Sequence, residues 1–119
     1  MVELDPLTGT YIGRGEADGR LPDFSPAGAE VFAAAERQVL ADLEETASVD
    51  AVDEVTRADL SAELRLSLAQ HEAGESLRDL NVIESPAQMI RDAFDLMSRE
   101  DEQGWAAVAE RMRAVPASL

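Results

Sequence analysis

Apolar residues recur along most of this chain at intervals of three and four, the spacing that lines one face of a helix. Phe32, Ala35, Val39 and Leu43 form one such stripe, while Glu30, Arg37, Glu44 and Glu45 fall where they can stay in water. Ser25 is placed to cap this helix and Pro26 suits its first position, where no amide donor is needed, so the pattern predicts a helix from Pro26 to about Ala47. Ser48 or Asp50 opens the next helix, from Ala51 to about Ala73, with Gly74 as its terminator. Leu60, Leu64, Leu68 and His71 make one stripe on it, and Val55, Ala62, Leu66 and Ala69 make a second turned well away. Two stripes call for partners on two sides and therefore a central position.

Ser85-Pro86 repeats the cap signature and opens a helix carrying Met89, Ile90, Ala93, Phe94 and Met97 inward, ending near Ser98. A last helix, from about Asp101 to Ala114, is expected to bury Trp105, Val108, Met112 and Val115, with Asp101 and Glu102 near the positive end of its dipole and Pro116 as its stop. At the other end, Leu4 to Ile12 reads as a short helix weakened by Gly9. Gly13, Gly15, Gly19, Pro22 and Pro26 then favour a loop, whose Leu21 and Phe24 tuck against the body. Glu75 to Glu84 holds Leu77, Leu80, Val82 and Ile83 without a sustained period and reads as a partly extended, partly buried connector.

The fold class is therefore all-α, an irregular bundle of about four to five helices with a long amino-terminal loop and that connector near 75–85. Residues 1–25 form the short helix and loop and 26–119 the helical bundle, together one domain.

Composition sharpens this picture. With 119 residues the chain can bury a sizeable core, built from aliphatic residues and alanine because it has one Trp, one Tyr and three Phe. Twenty-five acidic residues against ten basic ones, a net charge of -15, repel phosphate backbones and anionic lipid, so neither nucleic acid nor a membrane is expected as partner. Cysteine is absent, which removes disulfides, thiolate nucleophiles and Cys-based zinc sites. Glu3 and Asp5 stand where a secretory leader would be basic, and the longest apolar run is Val31 to Ala35, so a cytoplasmic, soluble protein is expected.

Candidate chemistry is thin. His71 and Glu75 stand four apart, as in a zinc helix, yet His71 is the only histidine and Gly74 interrupts the face. Its simpler role is to close the leucine stripe. Acidic clusters at Asp42, Glu44 and Glu45, at Asp50, Asp53 and Glu54, and at Glu100, Asp101 and Glu102 lie beside helix ends, where solvated charge is ordinary. Ser25, Ser85 and Ser98 fit caps better than nucleophiles, and Gly13-Arg14-Gly15 lacks the glycines and strand of a phosphate cradle. Trp105 and Phe94 fit core stripes rather than stacking platforms. No catalytic, cofactor-binding or metal-ligating set emerges from the residues alone.

An ordered set of motifs points further: Asp5-Pro6 with Thr10-Tyr11-Ile12-Gly13, the run Asp18 to Gly28, His71-Glu72-Ala73-Gly74-Glu75, and Leu80 to Pro86 followed by Phe94-Asp95-Leu96-Met97. Together these resemble the amino-terminal region of the bacterial domain-of-unknown-function 885 family. The resemblance implies mostly helical, zinc-dependent carboxypeptidase-like proteins whose longer members carry a His-Glu-x-x-Pro-Gly-His-type helix far downstream, with zinc as the parent's cofactor. His71-Glu72 lacks the second histidine and the Pro-Gly, so no ligand role transfers to it, and no cofactor is expected in this chain. The resemblance implies a non-catalytic scaffold and cleft-wall portion of a larger hydrolase-like protein, partnered by the parent's carboxy-terminal catalytic portion or by a second copy. Within it, Asn81 and Glu84 are the candidate contacts to a substrate channel. The alternative is a free-standing module for protein-protein interaction, with the two-striped helix offering a groove. On either reading, one stripe of that helix is expected to remain uncovered.

Overall fold

The computed structural model describes residues 5–15 and 19–119, and among these the regular structure is entirely helical. The α-helices are α1 (Pro6–Tyr11), α2 (Pro26–Glu45), α3 (Ala51–Glu72), α4 (Pro86–Leu96) and α5 (Glu102–Ser118), with a 3-10 turn at Glu75–Leu77. The all-α expectation holds. Leu4, expected to open the first helix, lies outside the described residues, as does Asp18 of the loop. Ala29–Arg78 form one compact unit; the described residues up to Gly28 and from Asp79 to Leu119 form the other.

Helix boundaries follow local chemistry. Asp5 caps α1, its carboxylate accepting from the amides of Leu7 and Thr8. At the far end Gly13, at φ 77°, lets its own amide reach the Thr10 carbonyl and that of Arg14 the Gly9 carbonyl, which closes the helix. Ser25 caps α2 by accepting from the Gly28 amide at 3.2 Å. Gly28 is required there for space, because a Cβ would run into the Asp23 carbonyl and side chain. Asp50, rather than Ser48, caps α3 through the amides of Val52 and Asp53. Gly74, at φ 74°, ends it as expected. Ser85 occupies the cap position of α4, but its hydroxyl meets the Gln88 side chain instead of a backbone amide.

In the first unit α1 lies on α4, with Leu7, Ile90, Ala93, Met97 and Val108 buried. Burying a side chain such as Leu7 stabilises by about 1.5–3 kcal/mol, which a six-residue helix needs because it cannot persist alone in water. Leu21 and Phe24 of the loop are half-buried, as their apolar character predicts.

Helix α5 departs from expectation twice. Trp105 and Met112, expected inside, are 56% and 62% exposed, and the inward positions are taken by Val108, Arg111 and Ser118. The helix is rotated because Arg111 finds hydrogen-bond partners inside, which lets a charged residue displace its apolar neighbours from the core. Pro116 does not stop the helix, which runs to Ser118. A proline in the last turn forfeits one donor, toward the exposed Met112, and the end is held elsewhere. Phe24 donates its amide to the Ser118 carbonyl at 2.9 Å, and the Ser118 hydroxyl donates to the Pro22 carbonyl at 2.5 Å.

In the second unit α2 and α3 pack as a hairpin around Ala33, Ser61 and Leu64, with Phe32, Leu40, Leu43 and Leu68 half-buried. Val39, assigned to the inner face of α2, is 44% exposed; the buried face is turned toward Ala33 and Leu40. On α3 Leu64 of the inner stripe is buried and Leu68 and His71 are half-buried, while Leu60 is 40% exposed; Val55 and Leu66 of the other stripe are 69% and 55% exposed. Helix α3 therefore does not find partners on both sides among the described residues.

Candidate functional site

The connector is where shape and chemistry meet. Leu77, Leu80, Val82 and Ile83 are 66%, 91%, 88% and 80% exposed, so the expectation of partial burial fails for all four. Asn81 explains this. Its side-chain oxygen accepts from the amides of Ile83 at 2.8 Å and Glu84 at 2.7 Å, and its side-chain amide donates to Asp79 at 2.9 Å. An asparagine that bonds two residues onward folds the backbone into a tight turn without help from a core, and the aliphatic side chains are left on its outside. Asn81 is thus fully engaged locally, while the Glu84 carboxylate forms no hydrogen bond or ion pair among the described residues.

Glu84 shares its surroundings with Tyr11. Partial burial raises the Tyr11 phenol above its ordinary value, and the negative fields of Asp92, Asp5 and Glu84 reinforce this against the opposing charge of Arg111. Tyr11 is 48% exposed and Ile12 61%. The carboxy-terminal end of α1 therefore carries an exposed aromatic and an aliphatic residue within the field of three carboxylates. Such a surface disfavours anions and can hold a neutral or cationic group.

Behind it sits a residue that periodicity did not single out. Arg111 is wholly buried, its Nε donating to the Arg20 carbonyl at 3.0 Å and its Nη2 to the Thr10 hydroxyl at 2.7 Å. It therefore joins α5 to both α1 and the loop. The one hint in the sequence is that Arg111 follows Val108 by three, on the same face.

His71 closes the leucine stripe, as its position suggests. Its Nε2 lies 2.9 Å from Glu30, which Arg37 also meets at 2.8 Å. Glu75 turns away beyond Gly74 to pair with Arg78 at 3.1 Å, so the two candidate ligands of a zinc helix do not converge. Among the described residues no three His, Asp or Glu side chains stand together as a metal ion would need, and the donor set does not fit the zinc that the family resemblance implies. The acidic clusters serve local roles: Asp50 and Asp101 cap helices, Asp53 accepts from the Val49 amide, and Glu44 pairs with Arg65. A groove of about 400 Å³ on the second unit, lined in part by Glu54, Arg57, Ser61 and Arg65, balances its charges, and both arginines already bond across it to Thr46 and Glu44.

The Glu30 site makes a titration prediction. The Arg37 guanidinium, and His71 after it, hold the Glu30 carboxyl below the ordinary carboxylate range. A lowered value means that the interaction is present above that range and lost as pH falls through it. An NMR titration will place Glu30 below a free glutamate, and Arg37→Ala will return it most of the way. Because Glu30 is exposed, salt will weaken the effect.

No helix among the described residues is long and apolar enough to cross a membrane. A search of curated proteins finds no match to this chain. The family model described as a bacterial protein of unknown function (DUF885) matches residues 6–119, and the chain belongs to that family.

Proposed function

We propose that these residues form a non-catalytic helical scaffold that supplies part of a cleft wall in a larger zinc carboxypeptidase-like protein. The carrying observation is how the polar side chains are used. Arg111, Asn81, Ser25, Asp50 and Asp101 all hold backbone or neighbouring elements in place, and no nucleophile, base and orienting group converge among the described residues. The connector fits a wall: Asn81 fixes a turn that presents Val82, Ile83 and the unpaired Glu84 outward. In this reading Asn81 positions the wall and Glu84 touches what passes along it. The zinc would be held by residues other than these.

Two measurements test it. The purified 119-residue chain, supplied with zinc, will show no peptide turnover; measurable hydrolysis abolished by a chelator rejects the scaffold reading. In a longer family member with measurable peptidase activity, replacing the residues that match Asn81 and Glu84 will raise KM several-fold with a smaller change in kcat. Unchanged kinetics removes the connector from the cleft wall. The exposed stripe of α3 favours a second reading, an independent interaction module, for which binding to a separate protein would not require the rest of an enzyme.

A further inference from the structure

The outward stripe of α3 combines two features that local rules disfavour. Val52, Val55 and Leu66 are 71%, 69% and 55% exposed on one side of the helix, and Ala62 and Ala69 continue the stripe between and beyond them. Asp59 and Glu63 lie on the same side, four residues apart, so their like charges face each other along the helix surface. Neither carboxylate has a hydrogen bond or ion pair among the described residues. The arginines of α3 do not answer them, since Arg57 and Arg65 point toward α2 and bond to Thr46 and Glu44. An apolar stripe whose only charges are two unanswered carboxylates is complementary to one kind of surface.

We propose that this face docks a basic amphipathic helix, whose apolar stripe covers Val52, Val55 and Leu66 and whose arginines or lysines pair with Asp59 and Glu63. A second copy of the chain fits badly, because a symmetric contact centred on this stripe would bring the carboxylates of Asp59 and Glu63 in the two copies together, in a molecule of net charge -15. The inference rests on the scaffold reading and deepens it by naming what the scaffold holds. The two fail separately: zinc-dependent turnover would sink the scaffold reading, whereas the docking stands or falls on binding alone.

The test uses the whole chain and two synthetic helices with the same leucine stripe, one flanked by arginine and one by glutamate. Calorimetry will show the arginine helix binding at least about tenfold more tightly, with affinity falling as salt rises. Backbone NMR will place its footprint on Val52 to Leu66. Asp59→Lys combined with Glu63→Lys, which alters only exposed positions, will reverse the preference between the helices. Glu100→Lys with Glu102→Lys, which lowers net charge equally, will not. The proposal is overturned by equal binding of both helices, by binding of neither, by a footprint elsewhere, by an affinity indifferent to the Asp59 and Glu63 changes, or by a sedimenting dimer that Leu66→Asp abolishes.

Discussion

Replacing Arg111 with alanine will destabilise the first unit by about 3–5 kcal/mol, a large part of the stability of a small domain. The side chain is wholly buried and donates to the Arg20 carbonyl and the Thr10 hydroxyl. Its removal strips one buried and one part-buried acceptor of a charged donor and leaves a void the length of an arginine. Two further variants separate these causes. Arg111→Met restores most of the volume and none of the bonds, so it will recover only the cavity part. Thr10→Val keeps shape and removes a single acceptor, and will cost about 1–2 kcal/mol. Urea denaturation of the three variants checks the order. An Arg111→Met protein as stable as the parent would mean that the bonds contribute nothing net.

Leu7→Ala carries the second large effect, about 2–5 kcal/mol. Leu7 is fully buried, α1 has only six residues, and α4 is what it rests on. A helix this short has little stability of its own, so losing its anchor detaches the whole element rather than opening a void. Hydrogen exchange will therefore show the amides of Ile12 to Arg14, which close α1, losing protection before those of α4. Tyr11 will report the same event: freed from its partly buried place, its phenol will titrate lower, toward the ordinary value, because burial is the largest cause of its upward shift. Uniform loss of protection across α1 and α4 would show that the two elements unfold as one.

The helices were legible because their signals are local. Asp50, Ser25 with Pro26 and Gly74 act within a turn of where they stand, and each marks its boundary as read. What periodicity missed was rotation. The stripe through Trp105 and Met112 is a valid apolar face, but a hydropathy pattern assigns arginine to solvent and has no means of knowing that Thr10 and the Arg20 carbonyl lie within reach of Arg111. Pro116 misled for a related reason, since the anchors that keep α5 helical past it, Pro22 and Phe24, are distant in sequence. The connector failed differently: Leu80, Val82 and Ile83 made it read as partly buried, whereas Asn81 builds a turn that stands without burial. At the candidate site, Asn81 and Glu84 were visible as polar groups in an apolar run. Tyr11 joins Glu84 only through the fold.

Those distant anchors also impose an order of synthesis. The bonds from Arg111 to Thr10 and from Ser118 to Pro22 span 101 and 96 positions, whereas Ser67 reaches Glu36 across 31. On the ribosome the α2–α3 hairpin can form once Arg78 has emerged, while α1 waits for α4 and the bonds to Thr10 and the loop wait for α5 to be made. Until then Leu7 and its neighbours are exposed in the nascent chain. Slowing translation near codon 100 will prolong that interval and raise chaperone engagement there, leaving the hairpin unaffected.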